Sequence, residues 1–227
     1  MLIPNLSPLW ISIKISLLAT VITTVVGTVL AYKMYRIGSK KPRSIVQNFV
    51  RSVVEGILIM PLILPPTVIG FILLVLIGKN GGVGQILAQW DVKLIFTWYA
   101  AVLAAVTIAF PLMYRSALGA FEQIDRSVLD AARIDCASEW SVFWCVSLPL
   151  AIPGILGGMV LAFARALGEF GATLMVAGNI KGQTQTMPMA IYFAVEGGAV
   201  EEAWFWTIVT MAMSSIGIFL IDRWKLK

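Results

Sequence analysis

Long apolar runs decide what this chain can become. The first, from Leu9 to Tyr35, carries Lys14 near its start and no further charge until Lys33. Comparable runs cover about 52–78, 94–114, 150–176 and 203–221. Crossing a bilayer takes about 20 mainly apolar residues of helix, and each run is of that order. Hydrocarbon offers no partner to a free N–H or C=O, so runs of this kind cross as helices. Only 13% of the 227 residues are charged, where a soluble domain carries about 25%. The expectation is an all-α membrane protein with five transmembrane helices, one domain over residues 1–227.

The net charge of +5 could suggest nucleic acid, but no basic patch interleaves with aromatics in a polar region. The basic residues flank apolar runs instead. Lys33, Arg36, Lys40, Lys41, Arg43 and Arg51 gather in the first connection, with no acid before Glu55. Basic connections stay in the cytoplasm. Counted this way, 12 of the 17 basic residues fall on the cytoplasmic side, four fall outside and Arg165 falls in the membrane. This predicts the N-terminus outside and the C-terminus inside. No basic segment precedes the first apolar run, which does not resemble a cleaved signal peptide.

Irregularities within the runs are informative. Pro61, Pro65 and Pro66 interrupt the second and should kink it, which a membrane tolerates where other protein surrounds the helix. The second span is therefore expected to face the bundle. Lys14 is long enough to snorkel to the interface. The fourth run holds Gly154, Gly157, Gly158, Gly168 and Gly171, which permit close backbone approach. It also holds Arg165 and Glu169, four residues apart. Charges at such depth face protein and pair, either as a structural tie or as a polar feature beside a translocation path. Pro188 should open a short helix, Met189 to Glu196, too short to cross.

Several chemistries are disfavoured. There is no His, which removes the commonest general base and metal ligand. Cys136 and Cys145 share one polar connection and read as packing residues, neither a metal site nor a disulfide. No GxxxxGK[ST] phosphate loop occurs, so this chain cannot bind ATP by that route. An intramembrane hydrolase would lack a Ser-His pair. A stand-alone ion-coupled carrier would more often show internal repeats or several buried ionisable groups.

The polar stretch 122–149 stands apart. Its Asp130 to Pro149 portion reads DAARIDCASEWSVFWCVSLP. Ser127 is placed to cap a first short helix, with Asp130 at capping-box spacing. Leu129, Ala132 and Arg133 share a side of it. A second helical run, about Ser138 to Leu148, should stop at Pro149. Two helices meeting at a bend make a compact knob.

This stretch resembles the EAA motif of permease subunits of bacterial ABC importers: Glu-Ala-Ala, three residues, Gly, nine residues, Ile, one residue, Leu-Pro. Asp130, Ala131 and Ala132 occupy the first positions, and Val146, Leu148 and Pro149 the last. Cys136 replaces the glycine. The run FARALGEFGATLMVAGNIKGQTQTMPMAIY, with the chain length and the five-span plan, is similar to molybdate permeases and more distantly to sulfate permeases. The resemblance covers essentially the whole chain. It implies a transporter subunit, not an enzyme, that moves molybdate or tungstate inward; a sulfate- or thiosulfate-type permease is the alternative. It implies a second permease copy, two cytoplasmic ATPase subunits carrying ATP and Mg2+, and an extracytoplasmic oxyanion-binding protein. No cofactor is implied for this chain. Leu129, Asp130, Ala131, Ala132, Arg133, Cys136, Ser138, Leu148 and Pro149 would form the ATPase-coupling region. Leu129, Ala131 and Ala132 would be its packing surface, and Asp130 would cap the helix and reach a basic group on the ATPase.

Overall fold

The structure is a computed structural model and describes residues 5–39, 45–135 and 138–225. Among these residues it is all helix: α1 (Ser7–Ser39), α2 (Ile45–Ile63), α3 (Pro66–Ile77), α4 (Gly82–Ala88), α5 (Trp98–Glu122), α6 (Arg126–Asp135), α7 (Glu139–Val142), a π-helical turn (Phe143–Ser147), α8 (Leu148–Leu167), α9 (Gly171–Ala177), α10 (Met187–Glu196) and α11 (Val200–Lys225). Among the described residues four helices are long and apolar enough to cross a membrane, or five if the bent pair α3–α4 counts as one.

Helix α5 is the centre. It packs against α1 on one side and α8 on the other, and α1 and α8 touch each other. The contact is made by small residues: Ala100, Ala101, Ala104, Ala105, Ala109 and Ala117 are fully buried. Apolar surface gains little by leaving lipid for protein, so helices associate in a bilayer through close packing. α8 supplies the matching surface with Gly154 and Gly158. A Cβ on Gly154 would lie 2.5 Å from Ala120 Cβ, and one on Gly158 would lie 2.7 Å from Ser116 Cβ.

Proline acts differently at each site. Pro61 and Pro111 sit inside α2 and α5 without ending them. At Leu64–Pro65 the helix does end, and Pro65 takes an extended conformation (φ −55°, ψ 138°) before α3 starts at Pro66. A residue preceding proline is pushed out of the α region, and here two successive residues are so placed. The expected second span is thus two helices. α2, expected to face the bundle, buries no residue; α3 does, through Ile69, Gly70 and Ile77. The break frees α3 to turn inward on its own.

Other boundaries also move. α5 starts at Trp98, where Thr97 Oγ1 accepts the Ala100 N–H, and it runs to Glu122, well past Tyr114. Nothing between Tyr114 and Glu122 breaks a helix, and leaving the bilayer does not end one. The fourth span is not one helix from 150 to 176. A continuous helix runs from Glu139 to Leu167, Gly168 closes it, and α9 follows separately. Pro149 does not stop this helix. A proline ring clashes with the carbonyl one turn earlier, and here that turn is π-helical, with Leu148 N–H donating to Phe143 O. A wider turn gives the ring room. Lys14, near the opposite end of the bundle, lies over the Trp98 ring, 3.6 Å from its centroid.

Gly158→Leu should force α8 away from α5 and destabilise the chain by about 1–3 kcal/mol, seen as a lower denaturation midpoint in detergent. Gly157→Leu is the control, because a Cβ there meets nothing within 4 Å. Equal loss in both variants would show that α8 is not seated through Gly158.

Candidate functional site: a helical knob and an ion pair at a helix break

The knob comprises α6, α7 and the π turn. Its first helix is capped by Asp125 rather than Ser127: Asp125 Oδ1 accepts the Ser127 N–H at 2.8 Å. Asp130, one turn further on, does not cap. It accepts from Arg133 Nη1 at 2.6 Å on its own helix. Arg133 Nε also donates to Glu139 Oε1 at 3.1 Å, and Arg36 Nη2 lies 3.3 Å from Glu139 Oε2. This chain of charges ties α6 to α7 and to the end of α1. Its members are largely exposed, so each pair contributes at most about 1 kcal/mol. Ser138 caps α7 by accepting the Ser141 N–H at 3.2 Å.

Packing does more of the holding. Leu129 is only 3% exposed and belongs to the main apolar core with Val142 and Phe143. It therefore cannot lie on the knob's outer surface as expected; its side of α6 faces the bundle. Ala131 is exposed and Ala132 half-buried. Leu148 and Pro149 begin α8 below the knob. Cys136 lies outside the described residues, and Cys145 is exposed and unpaired. The apolar outer surface also includes residues the sequence reading passed over, Ile134 at 86% and Trp140 at 69% exposure. Ile134 follows Ala131 at i+3 spacing, which was a readable signal.

An aromatic cluster joins the knob to the spans. Phe143, in the π turn, lies 4.4 Å from Tyr32 of α1 and 6.5 Å from Phe121 of α5, measured between ring centroids. Tyr32 and Phe121 are 5.3 Å apart. Since the π turn continues into α8, one cluster holds the knob ends of the three central helices.

The second feature lies where the apolar helix α8 ends. Arg165 Nη1 donates to Glu169 Oε2 at 2.9 Å, with Arg165 29% and Glu169 2% exposed. The two do not share one helix, because α8 ends at Leu167. Glu169 occupies the break, and its Oε1 accepts the Ala172 N–H of α9 at 2.8 Å. The acid thus satisfies a helix-start donor that hydrocarbon would leave bare. α9 in turn packs closely on α3: a Cβ on Gly70 would lie 2.8 Å from Ala172 Cα. Between α5 and α8 a cleft of about 840 Å3 opens, with Arg115, Ser116, Gly158 and Leu161 among its lining.

Two outcomes are expected. Ser127 holds the Asp125 carboxyl below its ordinary value, chiefly through the backbone hydrogen bond. A carboxyl lowered by folding stabilises the fold above its unfolded pKa, about 3.9, and that contribution is lost as pH falls through the lower folded value. Hydrogen exchange in α6 should rise over that acid window, and Asp125→Asn, which keeps the acceptor, should remove the dependence. Breaking a buried pair by removing one partner costs about 3–5 kcal/mol, less here because Arg165 is partly exposed. Arg165→Met, which leaves the buried Glu169 carboxylate unpaired, should therefore lower the detergent melting midpoint more than Arg165→Met with Glu169→Gln together, which keeps an acceptor for the Ala172 N–H. The reverse order would show that charge pairing is not what holds this break.

Residues 44–225 match the family described as binding-protein-dependent transport system inner membrane component. The chain is 43% identical over 179 residues to the molybdenum transport system permease protein ModB of Haemophilus influenzae, covering 78% of each chain. It is 37% identical over 223 residues to the ModB permease of Escherichia coli K12, covering 97% of this chain and 93% of that one. Among solved structures, the MetNI methionine ABC transporter in an inward-facing conformation matches with a TM-score of 0.68 at 17% identity, covering 95% of this chain and 92% of that chain. The helical architecture is thus that of ABC importer permeases, and this chain belongs to the family of inner-membrane components of binding-protein-dependent transport systems.

Proposed function

We propose that this chain is the membrane-spanning subunit of an ATP-driven importer that carries molybdate, or its near-isostere tungstate, into the cell. The observation that carries this reading is the identity to two molybdenum permeases, which in one case extends over nearly the whole chain. Two copies would form the pathway. Two cytoplasmic ATPases would bind ATP and Mg2+, since this sequence has no phosphate loop of its own. An extracytoplasmic binding protein would deliver the oxyanion and make most of the selection among anions. The distribution of basic residues supports the N-terminus outside and the C-terminus and knob inside.

The mechanism follows from the knob's construction. Its outer side carries Ala131, Ile134 and Trp140, exposed in the single chain, which suits insertion into an apolar cleft on the ATPase. Its inner side is locked to α1, α5 and α8 by Leu129 and Phe143. When ATP draws the ATPases together, the knobs move with them, and the locked helices turn as bodies between inward and outward openings. Ala131→Glu would bury an unpaired carboxylate at the docked surface, a penalty of several kcal/mol. The expected variant inserts and pairs with its second copy but loses ATPase binding or substrate-stimulated hydrolysis, measured by co-purification and phosphate release. Normal assembly and stimulation in Ala131→Glu would remove the knob from the coupling role. Proteoliposome uptake that follows sulfate and ignores molybdate would overturn the substrate.

A further inference from the structure

We propose that Arg165 is a transit contact for the oxyanion, a guanidinium that the passing cargo meets between the outer face and the cleft. This rests on the reading of the chain as an oxyanion importer subunit and adds a residue in the path.

The ion pair is lopsided in a way that a purely structural tie does not require. Glu169 is the buried member and is satisfied on both oxygens, by Arg165 Nη1 and by the Ala172 N–H. Arg165 is the open member. A guanidinium carries five N–H donors in a planar fork, and among the described residues only the Nη1 contact to Glu169 is formed. One oxygen of Glu169 is committed to backbone, so the carboxylate does not close off the fork.

Position adds a second argument. On α8, Gly154, Gly158, Leu161 and Arg165 follow at intervals of four, three and four, which is one helix face. The first three line the cleft against α5. Arg115 lines the same cleft beside Ser116, the residue that Gly158 faces. Arg165 is seven residues beyond Gly158, about 10 Å further along the axis, toward the side expected to face out. The helix face that opens on the cleft thus has Arg165 beyond its outer end, with the pair's acid buried behind it, and Arg115 across the cleft beside the residue that Gly158 faces, while Asp125 lines the inner end. The two guanidiniums make the outer half of this face the part that suits an anion.

The chemistry fits a tetrahedral oxyanion. A guanidinium presents two parallel N–H groups to two oxygens of one anion, which an ammonium cannot reproduce. One such fork is a modest site, and passage needs binding strong enough to admit the ion and weak enough to release it.

The test uses the complete transporter, with its ATPase and binding protein, in proteoliposomes supplied with molybdate. Two variants are compared with wild type. Arg165→Gln with Glu169→Gln removes both charges and leaves no charge unpaired; Arg165→Lys keeps the ion pair and loses the fork. The expected result is assembly and binding-protein-stimulated ATP hydrolysis close to wild type in both. Uptake per ATP should fall at least about tenfold in the double variant, in line with losing a hydrogen bond to a charged group, and by a smaller factor in Arg165→Lys. Uptake per ATP within twofold of wild type in the double variant overturns the proposal. Loss of uptake only in proportion to lost assembly or hydrolysis overturns it too, in favour of a structural tie. Should the double variant fail to assemble, Arg165→Lys decides: undiminished uptake per ATP overturns the proposal and a specific loss supports it. A wild-type complex that moves sulfate and not molybdate contradicts the substrate reading alone, and the same comparison is then made with sulfate.

Discussion

The approach of α8 to α5 is the contact on which the rest of this structure depends. Both helices sit where apolar burial alone gives no reason to associate, so the association has to come from fit. Gly154 and Gly158 supply that fit against Ala120 and Ser116, and the alanines of α5 let α1 come equally close. With these three helices fixed, Tyr32, Phe121 and Phe143 are brought to one end. The knob then has something rigid to stand on. Without the close approach, the cluster would not form and α6 and α7 would hang from two connections.

Backbone polarity is the second constraint, and it explains the breaks. Each interruption of a helix within the apolar region needs a partner for the freed groups. At Gly168–Phe170 that partner is Glu169, which accepts the Ala172 N–H. At Pro149 the π turn keeps the ladder going by shifting Leu148 to a bond with Phe143. At Pro65 the missing N–H of the ring removes one donor outright. A carboxylate, a register shift and an imino acid thus answer one demand in three ways.

Much of this was legible in the sequence, and the illegible part has a pattern. The apolar runs, the short helix after Pro188, the pairing of Arg165 with Glu169 and the two-helix knob could all be read from residue type and spacing. Hydropathy reports where lipid begins, whereas helices end where the backbone is broken or capped. That is why α5 outruns Tyr114 and why α7, the π turn and α8 pass through Pro149 unbroken. Local polar chemistry was also ambiguous. Asp125 and Ser127 are both good caps, and only the fold decides that the acid accepts from the serine. Leu129 and Ile134 are equally apolar on α6, and their opposite fates follow from where α1 and the π turn lie. No spacing rule within α6 contains that information.

The central claim of the proposed function is that the knob and the knob ends of α1, α5 and α8 would move as one body when the ATPase partners proposed for this chain close. Paired spin labels in the assembled transporter test it most directly. One pair joins Ser127 on α6 to Gln123 at the end of α5; the other joins Ser127 in the two copies. Through the nucleotide cycle, the account predicts an unchanged separation within one chain while the separation between copies shifts. A knob that changes its distance from Gln123 while the copies keep theirs would contradict it.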